Sequence, residues 1–412
     1  MRFTCCTAVR ILHTSDWHLG AAFHDRARAA DEAHALAQLV GLARTHAVDA
    51  VLIAGDVFDT ANPGAAEQRL WYRTLVDLVQ GAGVATVAII AGNHDSGLRI
   101  DGPKELLAAL HVHVRGQLTR HESPSSALIP LRDRAGVQRA WCAAVPYLRE
   151  GDVILAEDDG DRARRLARAV HQRWDAVRAT VPAGLPWVAM THAFAAGGRT
   201  GGMEHPVLAE VGNLGQADLA RLAEGAAYAA LGHLHRPQTV AGREHWRYCG
   251  SLLPSGFDEA GTGRSVVLAE LPDDGSPASV SLLPLAEFRS YRRLFGSPEA
   301  ILEAIATLPI PVAGQVTPWL QAELHLLTPQ PGIHLRVAEA ARARGWEVVS
   351  SLARRGGEAA GTAVALPVAD LRALDPQAVF RLLHEQRFGS PPPPGLDTAY
   401  ADLVAAIRAE PN

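Results

Sequence analysis

The chain has 412 residues, 48% of them hydrophobic and 20% charged, with a formal net charge of −5. This length exceeds one small core and fits two or three domains, and no apolar run reaches the roughly 18 residues of a membrane-spanning helix. The negative balance excludes a protein that grips nucleic acid with its whole surface, while a local basic cleft stays compatible with it. Lys104 is the only lysine among 39 basic residues, a bias of genome-wide composition rather than a functional signal. Cys5, Cys6, Cys142 and Cys249 form neither a disulfide framework nor a CxxC metal pattern, which favours a reducing cytoplasm. Residues 1–8 do not fit the pattern of the first strand and read as an extension or a start codon placed too far upstream, with translation beginning at Val9. Arg10 interrupts the short apolar run, so no secretory leader is expected.

In chain order, an apolar strand over 9–13 runs into Thr14, Ser15 and Asp16. Helical periodicity over 31–45 precedes a strand over 48–54 that ends in Gly55-Asp56. A helix over 65–80 precedes a strand over 84–91 that ends in Gly92-Asn93-His94-Asp95. Later strands over 187–190 and 228–231 end in Thr191-His192 and in Gly232-His233. Between them the glycine-rich stretch 195–202 is expected as a loop near the site. Strands alternating with helices predict an α/β architecture, in which polar site residues gather beyond the carboxyl ends of the strands. The composition changes after about Leu285: a strand over 319–327, a helix over 333–344 and a strand over 346–352 predict a small βαβ-like domain. Gly356, Gly357 and Gly361 mark a loop, and Asp375-Pro376 caps a helix through about Arg387. The proline run over 390–395 breaks the chain before a last helix with Tyr400, Leu403, Val404 and Ile407 on one stripe. The divisions are 1–8, a catalytic domain over 9–287, a small domain over 288–365 and a helical tail over 366–412.

The chemistry concentrates in Asp16, His18, Asp56, Asn93, His94, Asp95, His192, His233 and His235. In an extended segment residues two apart point to one side, so Asp16 and His18 reach one ion, and so can His233 or His235. Setting His94 and Asp95 aside, two aspartates, one asparagine and four histidines are too many for one ion and fit two ions sharing a carboxylate. Oxygen and imidazole donors without thiolate suit Mn²⁺, Fe²⁺ or Zn²⁺, and octahedral capacity leans toward Mn²⁺. Two divalent ions beside two carboxylates leave a positive site that suits a phosphodiester anion and its in-line hydrolysis. His24, His34, His46, His171 and His384 read as surface or packing residues, and His13, His111, His113 and His205 as structural.

The runs ILHTSDWHLG at 11–20, AGDVFDT at 54–60, AGNHDS at 91–96, LGHLHRPQ at 231–238 and YCGSLLPSGFDE at 248–259 resemble the calcineurin-like metallophosphoesterase superfamily. The resemblance implies a β-sandwich flanked by helices, with a small α+β capping domain and a helical C-terminal tail. It implies that Asp16, His18, Asp56 and His235 bind one metal, and that Asp56 bridges to a second held by Asn93, His192 and His233, the pair being Mn²⁺. His94 would be the catalytic histidine, with Asp95 orienting it. Asp59 lies where archaeal and eukaryotic relatives often carry a second active-site histidine, so the likeness is to the bacterial branch and that role is not carried over. Members of that branch are DNA exonuclease and endonuclease subunits acting at double-strand ends and hairpins, in DNA repair and recombination. They work as homodimers within a heterotetramer, beside an ATPase with a coiled coil, in the nucleoid-containing cytoplasm. No P-loop is present here to supply ATP binding, because the single lysine follows Pro103. The tail, with Val379, Phe380 and Leu383 on its first helix, is expected to dock at the base of the partner's coiled coil. DNA contacts are expected from Arg99, Arg236, Arg292 and Arg293. Two alternatives stay open: a small-molecule phosphodiesterase or nucleotidase of the same superfamily, and a mainly architectural scaffold for DNA ends. A protein phosphatase fits less well, because Val57 and Asp95 replace the arginine and glutamate usual in those motifs.

Overall fold

The computed structural model describes residues 9–153, 162–195, 218–312, 314–355, 376–388 and 390–409. The expected extension at 1–8, the body of the glycine-rich loop at 196–202, the glycines at 356, 357 and 361 and the cap at Asp375 lie outside the described residues. Two compact units are present, residues 1–355 and residues 356–412. No helix among the described residues is long and apolar enough to cross a membrane.

In the first unit the order begins β1 (Val9–Thr14), α1 (Ala29–Thr45), β2 (Ala50–Ala54), α2 (Ala65–Val76), β3 (Thr86–Ile90), α3 (Gly97–Asp101), α4 (Lys104–Ala108) and β4 (Val112–Arg115). It continues with β5 (Leu128–Arg132), β6 (Gln138–Val145), α5 (Arg162–Arg178), β7 (Trp187–His192), α6 (Ala220–Ala223) and β8 (Tyr228–Gly232). The strands β9 (Gln238–Val240), β10 (Arg243–Tyr248), β11 (Arg264–Leu271) and β12 (Ser279–Leu285) complete two six-stranded sheets, ordered β12-β11-β1-β2-β3-β4 and β5-β6-β7-β8-β10-β9. The strands β1 to β4 run parallel, as do β6, β7, β8 and β10. Hydrophobic faces explain the layering. Ile11, Leu52, Ala88 and Ile90 of one sheet meet Cys142, Ala144, Val188 and Met190 of the other in a shared inner core. The outer face of the first sheet is covered by Leu36 and Leu39 of α1 and Trp71 and Leu75 of α2. Val170 and Trp174 of α5 cover the second sheet. Both sheets are buried on two faces, which is why their parallel strands read as near-continuous apolar runs.

A third sheet, β13 (Tyr291–Gly296), β14 (Trp319–Leu326) and β15 (Glu347–Arg355), is parallel throughout. Helices α7 (Pro298–Ala306) and α8 (Ile333–Ala343) cover it through Ile301, Ile305, Val337 and Ala341 against Leu320, Ala322 and Leu324. The small βαβ unit therefore carries an additional strand and helix. The strand does not show in the periodicity of the sequence, because β13 buries only Tyr291 and exposes Arg292, Arg293 and Phe295. Ser297 Oγ accepts from the Ala300 amide at 3.3 Å and Pro298 occupies the first turn, which starts α7. The sheet meets the sandwich through the aromatic cluster of Phe23, Phe257, Tyr291 and Trp319. Beside it the buried Arg289 binds Asp31 of α1 with both ends of its guanidinium, at 3.0 and 2.9 Å.

The second unit contains α9 (Pro376–Phe388) and α10 (Pro394–Ala409). Phe380 and Tyr400 stack with centroids 4.2 Å apart, and Arg381 clasps Asp397 at 2.8 and 2.6 Å. Those two aromatics, expected to face a partner, are occupied with each other because the two helices pair as a hairpin. Leu382, Leu383, Leu396 and Leu403 are the exposed apolar side chains of this hairpin among the described residues. Val379 and Val404 are half-buried, and the Ile407 side chain lies outside what is described.

Candidate metal centre

Seven donor side chains come from five strand ends. Asp16 and His18 follow β1, Asp56 follows β2, Asn93 follows β3, His192 ends β7, and His233 and His235 follow β8. The chain does not reach these positions in the extended geometry expected for Asp16 and His18. Asp16, His18, Asp56 and His233 all have positive φ, at 52°, 44°, 49° and 108°. A side chain there is unfavourable and is held only where surrounding contacts over-determine it. Those contacts are present: the Asp16 amide donates to Gly55 O and the His18 amide to Asp56 O, each at 3.0 Å. The tight turns still bring the expected residues together.

The donor atoms converge as two neighbouring groups. Ligand atoms of Asp16, His18 and His235 lie within 4.8 Å of one another, as do those of Asp16, Asp56 and His192. Asp56 Oδ2 stands 3.5 Å from His18 Nε2 and 3.3 Å from His192 Nε2. Asn93 Oδ1 lies 3.0 Å from both His192 Nε2 and His233 Nδ1. Outer contacts fix which imidazole nitrogen faces inward. His192 Nδ1 donates to Ala54 O at 2.9 Å, His235 Nδ1 pairs with Ser255 Oγ at 2.8 Å, and His18 Nδ1 lies 3.5 Å from Asp59 Oδ1. In all three rings Nε2 is left to the centre, and Nε2 of His18 and His235 face each other at 3.1 Å. Ring nitrogens left facing the two groups of donors, each ring oriented by an outer oxygen, are the arrangement of a metal cradle. The donor set of carboxylate, amide oxygen and imidazole fits divalent ions of the Mn²⁺, Fe²⁺ and Zn²⁺ kind.

Electrostatics agree. Burial opposes the charge on Asp56, but the imidazoles of His192 and His18 hold its carboxyl far below the ordinary range. Burial likewise opposes a charge on His192, yet Asp56 and Asp16 raise it to about 9. His233 is pushed down to about 3 by burial and by neighbouring His192. The Asp56 carboxylate is thus held ionised by cationic neighbours, while burial and the nearby Asp56 charge raise Asp16, and a metal would take the place of those imidazole protons.

Around the centre, His94 is exposed and its Nδ1 donates to Asp59 O at 2.8 Å, leaving Nε2 outward. Its backbone amide donates to Asp56 Oδ1 at 2.9 Å, so the turn that carries His94 also seats a ligand. Asp95, expected to orient the His94 ring, does something else. Its buried carboxylate accepts from the amides of Val57, Phe58 and Gly92 at 3.1, 3.0 and 2.9 Å, tying the second and third strand-end loops together. A residue next to His94 in sequence points the other way across the turn, and the ring is oriented by Asp59 instead. The sequence pattern gives Asp59 no such role, because no spacing rule marks a main-chain carbonyl. Nor does any spacing mark Glu259 and Arg264: Arg264 binds Glu259 Oε2 at 2.8 Å and His235 O at 3.1 Å, bracing the His235 loop.

Gly92 is required by close approach, since a Cβ there would collide with Asp56 Oδ1 and its backbone nitrogen. Gly92→Ala is expected to weaken divalent-metal binding by about 10–100-fold, the range for disturbing a ligand's support. Calorimetric titration with Mn²⁺ checks this, and an unchanged affinity would mean Asp56 can shift without loss.

The four arginines expected at DNA are all exposed. Arg99 binds Asn62 Oδ1 at 2.7 Å, Arg292 binds Tyr291 O at 2.9 Å, and Arg293 shares Glu323 with Arg354. Among the histidines outside the centre, His13 is buried against the Tyr228 hydroxyl at 2.8 Å and the exposed His24 packs on the edge of the contacting Phe23 and Phe257 rings.

Comparison with known proteins agrees with this geometry. Residues 9–237 match the calcineurin-like phosphoesterase family, and residues 284–388 match the family described as type 5 capsule protein repressor C-terminal domain. The chain belongs to the calcineurin-like phosphoesterase family, and its centre is therefore a divalent-metal site. Within that family it is similar to SbcD, the nuclease component of SbcCD, from Rhodobacter capsulatus, 37% identical over 283 residues, covering 66% of this chain and 69% of the relative. The SbcD protein of Escherichia coli K12 is 34% identical, covering 63% of this chain and 64% of the relative. That of Bacillus subtilis is also 34% identical, with 64% and 66% covered. The matched stretch thus spans slightly under two thirds of the latter two.

Proposed function

We propose that this protein is the nuclease subunit of an SbcCD-type complex, hydrolysing phosphodiester bonds at DNA double-strand ends and hairpins with two Mn²⁺ ions. The observation that carries this is the convergence of seven donors from five strand ends beside an exposed histidine whose ring is oriented by the Asp59 carbonyl. In this reading Asp16, His18, Asp56 and His235 hold one ion, and Asn93, His192, His233 and Asp56 the other. The position of Asp56 Oδ2 between His18 and His192 supports its role as the shared ligand. Bound ions would supply Lewis acidity toward a phosphate ester and ready deprotonation of water. The residues do the rest. Ala54 O, Ser255 and Asp59 set the imidazole orientations, and Asp95 locks the loops that carry Asp56 and Asn93. With Nδ1 committed to Asp59 O, protonated His94 has Nε2–H free to donate to the leaving oxygen.

Residues 9–287 would form the catalytic domain, 288–365 a capping domain toward DNA, and 366–412 the tail that binds an SbcC-type ATPase. The exposed leucines of the tail hairpin support the last assignment. Two copies of this chain would act in a heterotetramer in the cytoplasm. The test is cleavage of end-labelled linear duplex and hairpin DNA with Mn²⁺, with and without the ATPase partner, beside a chromogenic phosphodiester. DNA cleavage lost on chelation and in His94→Ala is expected, with a fall of about 10²–10⁴-fold for the variant. Turnover of the small ester with no DNA cleavage in either setting would replace this reading with a small-molecule phosphodiesterase.

A further inference from the structure

The loop after β6 carries an arginine that no motif singles out. Arg149 Nη2 donates to the carbonyl of Asp95 at 2.9 Å and to that of Asn93 at 3.3 Å, the two residues that flank His94. Its guanidinium lies 5.5 Å from the centroid of the Tyr147 ring. Its own amide donates to Asp152 Oδ2 at 2.8 Å, and the Tyr147 amide donates to Ala91 O at 2.9 Å. The loop is therefore stitched to the turn that bears Asn93 and His94, and the side chain is held at both ends.

A guanidinium offers five N–H donors in a planar fork. Among the described residues the two carbonyls engage only Nη2, and no carboxylate forms an ion pair with Arg149. Both Arg149 and the His94 it brackets are exposed. Arg293, by contrast, is committed to Glu323, and Arg99 to Asn62. A fixed cation with a spare pair of donors suits a tetrahedral phosphate oxygen pair, and its prior ordering lowers the entropy lost on binding.

We infer that Arg149 binds a backbone phosphate adjacent to the one being cleaved, and so sets a preference for a polynucleotide over an isolated phosphodiester. This rests on the nuclease reading above. An ester with one phosphate fills only the metal centre and leaves the spare donors of Arg149 unused, whereas a nucleic acid strand presents further phosphates along its backbone. Arg149 would also steady the His94 turn, so both substrates feel its loss, and the discriminating quantity is their ratio.

The experiment compares the full-length wild type with Arg149→Gln and Arg149→Lys, using Mn²⁺, end-labelled duplex DNA and bis-p-nitrophenyl phosphate. The ratio of kcat/KM for DNA to that for the small ester is expected to fall at least about tenfold in Arg149→Gln, mainly through KM, the size of one charge-assisted contact. The log–log salt dependence of kcat/KM on DNA should become shallower by about 0.9 in Arg149→Gln, one phosphate contact, and stay near wild type in Arg149→Lys. Equal proportional losses on both substrates with an unchanged salt slope would overturn the inference and leave Arg149 a support of the turn. So would wild-type behaviour of both variants while the wild type cleaves DNA. A wild type that turns over the ester but never cleaves DNA would remove the nuclease reading and this inference together.

Discussion

Asp56→Asn should lower metal-supported phosphodiester hydrolysis by about three orders of magnitude while leaving the fold intact. The substitution keeps the shape of the side chain and the acceptor for the His94 amide at 2.9 Å. It removes the charge from the one carboxylate that stands within 3.5 Å of imidazoles from both groups of donors. A bound ion contributes several kcal/mol to stabilising charge on a phosphate ester, and each 1.36 kcal/mol is a factor of ten, so in the proposed two-ion reading weakening both ions at once would give a loss of about 10³. Initial rates on a chromogenic phosphodiester at saturating Mn²⁺, with circular dichroism as the control for folding, check it. A loss below tenfold would show that Asp56 is not shared between the two ions.

Arg289→Ala is expected to destabilise the protein by about 3–5 kcal/mol, the range for breaking a buried pair by removing one partner. Asp31 is 1% exposed and Arg289 8% exposed, so the carboxylate is left in a buried setting without its paired charge. Among the described residues its remaining hydrogen-bond partner is the Tyr291 hydroxyl at 3.4 Å, a long contact, with the Arg28 guanidinium as a nearby cation. The guanidinium also lies 4.0 Å over the Trp319 ring, and that packing is lost with it. Urea denaturation measures the effect. The double variant Asp31→Leu with Arg289→Met should recover part of the loss, because no charge of the pair is left unpaired, although Thr317 O and the Tyr291 hydroxyl each lose a partner. A single-variant loss under about 1 kcal/mol, typical of a solvated surface pair, would contradict the buried geometry.

Much of the centre was legible because of one regularity. Parallel strands place their carboxyl ends on one side, so apolar runs ending in Asp16, Asp56, Asn93, His192 and His233 had to deliver those residues to a common region. The same regularity made the sandwich readable, since strands buried on both faces are apolar throughout. What escaped was written in the backbone or in single residues without periodicity. Asp59 orients His94 through its carbonyl, which any residue possesses. Arg149 acts on two carbonyls more than fifty residues earlier in the chain. Asp95 looked like a partner of His94 because it follows it, but the turn sends the two side chains apart. The strand β13 stayed hidden because three of its side chains face solvent and carry charge or an aromatic ring.

The donors divide between the two sheets: Asp16, His18, Asp56 and Asn93 leave the first, and His192, His233 and His235 leave the second. The centre is therefore a rivet through two plates rather than a feature of either. Its dimensions are set by how the plates lie on each other, and that alignment is held by the inner core of Ile11, Leu52, Ile90, Val188 and Met190. A methylene lost there lets one plate slide on the other, and the slide is felt where donor atoms from both must meet. Metal affinity is therefore expected to track sheet alignment, and ions held by donors from both sheets would in turn resist any shear that separates the layers.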